Sequence, residues 1–150
     1  MGARIEALLG RAQARAREGA YGYNGSLLPA EAWAVLEARA HARLLDIRSR
    51  EEWALVGRVP GAFEIEFRRF PDWAPLPDFL TQVEARLRHD ELVLLLGRAT
   101  EDAAEAARLL AAAGYRHVYT VLEGFEGEAN AAGQRVVNGW RVAGLPWYQS

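Results

Sequence analysis

ELVLLLGRATEDAAEAARLLAAAG, residues 91–114, is the stretch whose reading decides the fold. Leu92 to Leu96 are consecutive apolar residues, too few for an independent helix and too unbroken for a half-exposed strand, so they predict a strand buried on both faces. From Ala103 onward Ala106, Ala107, Leu110 and Ala111 share one helical stripe, while Glu105 and Arg108 fall off it. Only Gly97 to Asp102 separate the two elements. In open α/β sheets the carboxyl end of a strand feeding a helix is where ligands bind, because unpaired backbone N–H groups and the helix dipole point into it. The residues of this loop therefore carry the functional reading.

Composition sets bounds around it. With 150 residues, 51% of them apolar, the chain can bury a full core. A formal charge of −2 argues against a nucleic-acid surface. There is no cysteine, which excludes disulfides, thiolate metal ligands and thiol nucleophiles. No apolar run approaches the length of a membrane span, and the amino terminus lacks the apolar core of a secretion signal, so a cytoplasmic location without membrane attachment is expected. His41, His89 and His117 lack metal-ligand spacing, and no phosphate loop, dinucleotide fingerprint or G-x-S-x-G elbow is present. No metal and no cofactor are expected.

Upstream, Met1 to Gly19 places Ile5, Leu8, Leu9 and Ala12 on one stripe and predicts an amphipathic helix, followed by a turn-rich connector, Tyr21 to Ser26. Residues 1–27 are accordingly set apart from a domain over 28–150. A helix opening at Pro29 buries Trp33, Val35 and Leu36, and a short strand runs from Ala42 to Ile47. Asp46 and Arg48 lie two residues apart and so on the same side. Ser49 and Glu52 form a capping box for a brief helix. Gly57 to Ala62 is a turn, and Phe63 to Phe67 alternates as a strand with one polar face. Phe70 to Pro77 is a long proline- and aromatic-rich connector of the kind that borders a site, with Trp73 a candidate for the pocket rim. An amphipathic helix from Pro77 ends near His89, and after Gly114 a further strand runs from Tyr115 to Leu122.

The segment LLDIRSREEWALVGRVPGA, with Asp46, Arg48, Glu52, Gly57, Pro60, Gly61 and Ala62 at set spacings, closely resembles the amino-terminal signature of rhodanese-like domains. Arg58 stands where histidine is common in that family. Ala-Gly-Tyr, the strand and Glu123-Gly-Phe-Glu-Gly follow in the family's order, and the tail Asn138 to Trp147 resembles that of single-domain members, so the likeness covers residues 28–147. The resemblance implies an α/β fold: a mostly parallel five-stranded sheet with helices on both faces. It gives Asp46 and Arg48 a structural role, tying loops together near the sheet end.

Sulfur-transferring members of the family carry a loop Cys-Arg-x-Gly-x-Arg, whose thiolate takes the outer sulfur of a donor such as thiosulfate, holds it as a persulfide and passes it to an acceptor. Aligned without gaps, Gly97 stands for the cysteine, Arg98 for the first arginine, Thr100 for the glycine and Asp102 for the last arginine. Ala99 and Glu101 complete the loop. Persulfide chemistry on this chain is excluded by composition. A carboxylate close to a bound dianion costs a few kcal/mol at the effective dielectric of a partly buried site, on the order of Coulomb's law at such distances, so thiosulfate or phosphate is expected to bind poorly. Thr100 is placed to cap the following helix, with Glu101 and Asp102 in its first turn, where negative charge is favoured. The expected function is a catalytically inactive rhodanese-like module that binds an unidentified protein or small-molecule partner. The alternative is a sulfurtransferase-family protein whose cysteine at position 97 has been substituted.

Overall fold

The computed structural model describes residues 2–69, 71–134 and 138–149. In chain order the elements are α1 (Gly2–Gly19), β1 (Gly25–Leu27), α2 (Pro29–Ala38), β2 (Ala42–Asp46), α3 (Arg50–Leu55), β3 (Phe63–Glu64), α4 (Phe79–Arg86), β4 (Leu92–Leu96), a 3₁₀ turn over Thr100–Ala103, α5 (Ala104–Ala112) and β5 (His117–Val121). The strands form one sheet in the order β1-β5-β4-β2-β3, every pair parallel. The expected sheet is thus all-parallel rather than mostly so. Phe70, at the start of the proline-rich connector, lies outside the described residues.

β4 occupies the centre, and its run of leucines is explained by cover on both faces. On one face Leu94 and Leu96 pack with Ile5, Leu8 and Leu9 of α1, Val35 of α2, and Phe125 and Trp140. On the other, Val93 and Leu95 pack with Phe79 and Val83 of α4 and Ala106, Ala107 and Leu110 of α5. The small alanines of α5 let that helix lie close against the sheet.

Three readings of the sequence change. The connector over 21–26 gives way to strand β1, whose Gly25, Ser26 and Leu27 pair with Tyr119, Thr120 and Val121. The strand over Phe63–Phe67 is regular only at Phe63–Glu64, although Ile65 N still donates to Asp46 O and Phe67 N to Ile47 O, at 3.0 and 3.2 Å. The helix expected from Pro77 starts at Phe79 and ends at Arg86. Ser49 caps α3 as expected: its Oγ accepts from Glu52 N, and Glu52 Oε1 accepts from Ser49 N at 3.0 Å. Among the described residues no helix is long and apolar enough to cross a membrane.

Candidate functional site

The carboxyl ends of β2 and β4 lie side by side, joined by Ile47 N donating to Leu96 O at 3.0 Å, so the segments that follow them enclose common space. There a cavity of about 310 Å³ is lined by Ile47, Arg48, Ser49 and Glu52 after β2, Phe67, Arg68 and Trp73 after β3, and Gly97, Arg98 and Asp102 after β4. Its wall is mixed: an apolar side of Ile47, Phe67 and Trp73 faces a set of charged groups.

Beneath it lies the Asp46–Arg48 pair, both residues almost fully buried. Arg48 Nε and Nη2 donate to the two Asp46 carboxylate oxygens at 2.9 and 2.7 Å, and Nη2 also donates to Gly57 O at 2.9 Å. The guanidinium lies over the Phe125 ring, 4.1 Å from its centroid. Asp46, Arg48 and Gly57 are therefore brought together, and Gly57 N donates to Glu52 O at 3.3 Å. Pro60 and Gly61 are not part of this group; they sit on an exposed turn beside Trp33, Leu36 and Phe63.

The loop after β4 is tighter than six residues of irregular chain, because Thr100 already belongs to the 3₁₀ turn. This corrects the expected cap. The side chain of Thr100 lies outside the described structure, and its backbone is the first residue of the turn; Ala99 holds the cap position. Asp102 closes the turn, its Oδ2 accepting from Ala99 N at 2.9 Å, while Arg98 Nε stands 3.9 Å from the same oxygen. A loop amide and the loop's arginine thus turn toward a carboxylate of the chain itself. Glu101 is exposed and does not line the cavity.

Gly97 is buried, and the space beside it is taken: a Cβ added there would lie 2.7 Å from Asp102 Cβ. The turn after β5 seals the other side. Phe125 N donates to Gly97 O and Glu126 N to Arg98 O, both at 2.9 Å. That approach needs glycine at 124, where φ is +69° and a Cβ would meet the Arg98 carbonyl at 2.5 Å.

Trp73 stands on the cavity rim, 42% exposed, with φ at +56°, a left-handed conformation uncommon for a bulky residue. Arg68 Nη1 donates to Trp73 O at 2.7 Å, and the same guanidinium pairs with Glu105 of α5. The connector is thereby tied to the helix that starts at the loop. Arg68, Phe67 and Phe125 were not singled out in the sequence. Strand alternation over 63–67 carries a signal for Phe67, and none exists for the long-range stacking of Arg48 on Phe125. Among the described residues no group of three or more His, Asp and Glu could hold a metal ion.

A profile of the rhodanese-like domain matches residues 28–131. The chain is similar to the crystal structure of Rv0390 from M. tuberculosis, with a TM-score of 0.78 and 34% identity over 85% of this chain and 99% of that one. An uncharacterized protein of Rickettsia rickettsii, the RP600 homolog, is 28% identical over 121 residues, 78% of this chain and 91% of the relative. The polysulfide-sulfur transferase homodimer of Wolinella succinogenes shares the fold, at a TM-score of 0.59 and 18% identity over 99% of this chain and 90% of that one.

Proposed function

The chain belongs to the rhodanese-like family, and from that premise we propose that it is a non-catalytic member: a binding or regulatory module of the cytoplasm whose loop Gly97–Asp102, with Trp73 at the rim, receives a protein or small-molecule partner. One observation carries the reading. Where the family's nucleophile belongs there is Gly97, and the room its side chain would need is occupied by Asp102 Cβ. A single lost cysteine would leave that space and the anion cradle behind. Here the loop amide of Ala99 and the guanidinium of Arg98 turn to Asp102, which fits a loop satisfied from within and a cavity adapted to something other than a small sulfur-bearing anion.

The test has two arms. Gly97→Cys should give no thiosulfate:cyanide sulfur transfer, since the new side chain meets Asp102 and the final arginine of the family loop is missing; recovered transfer would establish the substituted-enzyme alternative. In parallel, wild type and an Arg98→Ala, Glu101→Ala double variant are used as bait in a pull-down. Loss of a captured partner from the double variant is expected, and equal recovery removes the loop from the interface.

A further inference from the structure

A second cleft, of about 410 Å³, opens where α3 meets the outer edge of the sheet, and Arg50, Trp53, Arg58, Glu64, Glu66 and Arg69 line it. It uses other residues of α3 and its cap than the loop cavity does: Arg50 and Trp53 here, the cap Ser49 and Glu52 there. Arg58 Nη1 donates to Glu64 at 2.9 Å. Glu66, only 7% exposed, accepts from Arg50 N at 2.9 Å, from Arg50 Nη2 at 3.4 Å and from Arg69 Nη2 at 2.9 Å. Burial opposes ionisation of Glu66, yet these donors outweigh it and hold its carboxyl below the ordinary range. Three guanidiniums against two carboxylates leave one positive charge in surplus among these side chains.

Among the described residues, two donors of the residues lining this cleft have no acceptor. The indole Nε1–H of Trp53, a residue 7% exposed, and the Nε–H of Arg58 are both buried without a hydrogen-bond partner. Buried polar groups are ordinarily paired, because an unpaired one forfeits its hydration with no return. Both unpaired groups are donors on residues that line the cleft, they lie just under its surface, and the cleft's carboxylates are already engaged by arginines. We propose that this cleft is an oxyanion site, which takes a carboxylate or phosphate group whose oxygens accept from Trp53 and Arg58 while its charge meets the surplus arginine. Arg50 and Arg69, with side chains 64% and 48% exposed, are the groups able to swing aside as the ligand enters. The site stands apart from the loop and does not depend on the function proposed for it.

A ¹H–¹⁵N titration of the full chain, with sodium succinate and separately with inorganic phosphate at constant ionic strength, tests this. The Trp53 indole resonance is identified by triple-resonance assignment. It should move downfield and saturate with at least one probe. Affinity should fall about three-fold in Arg69→Gln, the size expected for one exposed charge pair, and stay unchanged in Arg98→Ala. Movement with succinate alone assigns a carboxylate ligand, with phosphate alone a phosphoryl group, and with both an oxyanion of either kind. A Trp53 resonance that stays in place with both probes, or that responds equally in Arg69→Gln, overturns the proposal.

Discussion

Arg48 joins three parts of the chain with one guanidinium: the end of β2 through Asp46, the turn after α3 through Gly57, and the segment after β5 through the Phe125 face. The ion pair itself is weak grounds for stability, because desolvation offsets most of its attraction, but breaking one side strands a buried charge. Arg48→Ala should therefore cost about 3 to 5 kcal/mol, read as a lowered urea midpoint. A loss below about 1 kcal/mol would mean that Asp46 is solvated by other means and that the pair does not hold the cavity floor. Part of this was legible in the sequence, since residues two apart at a strand end share a side. The stacking partner was not, because Phe125 arrives from a distant part of the chain and no local pattern marks it. The same holds at Asp102: its place in the first helical turn was readable, whereas its reach back to Ala99 and its occupation of the space beside Gly97 depend on the tightness of a turn the sequence does not specify.

Elements stabilised by local chemistry were the ones sequence reasoning placed best. The Ser49–Glu52 box owes its form to neighbours within a few residues, and the unbroken leucines of β4 and the alanine stripe of α5 are patterns complete within one short segment of sequence. β1 was missed because Gly25-Ser-Leu27 has neither length nor alternation, and only its pairing with β5 makes it a strand. Long-range ties of this kind also fix how elements end. Tyr115, just before β5, donates its hydroxyl to Leu87 O at 2.7 Å and so anchors the end of α4. Burial, with smaller contributions from the Glu84 and Glu91 carboxylates, pushes its hydroxyl up to about 12 from 10.0. A folded-state value above the unfolded one means that its contribution is complete below about pH 10 and is lost as pH rises toward about 12. Tyr115→Phe should cost about 0.5 to 1.5 kcal/mol at neutral pH for the lost hydrogen bond, and it should flatten the alkaline decline. Urea midpoints measured across that range check it; an equally steep decline in the variant would assign the loss to other groups.

At the scale of the whole molecule, the stretch that matches the family begins at residue 28, yet the packing does not. Ile5, Leu8, Leu9 and Ala12 of α1 share one buried cluster with Leu27, Val35, Leu94, Leu96, Val121 and Trp140, and α1 packs directly on β1 and α2, so the first helix is part of the core on that side of the sheet. Arg15 adds a polar tie, its Nη1 donating to Ser26 O at 2.7 Å and to Glu31 at 3.0 Å. If α1 were an appendage, truncating its apolar face would leave the sheet's unfolding unchanged. The packing predicts the opposite. Ile5→Ala removes a side chain that is 3% exposed, and large-to-small changes at such sites cost about 2 to 5 kcal/mol, since the lost transfer energy is compounded by the cavity left behind. The loss should appear in one cooperative transition, with tryptophan fluorescence, to which all five tryptophans including the buried Trp140 contribute, and far-ultraviolet circular dichroism changing together. Two separated transitions, or a midpoint unmoved by Ile5→Ala, would show that the helix folds as a separate unit. In that case the side of the sheet that α1 covers would count as interaction surface rather than core.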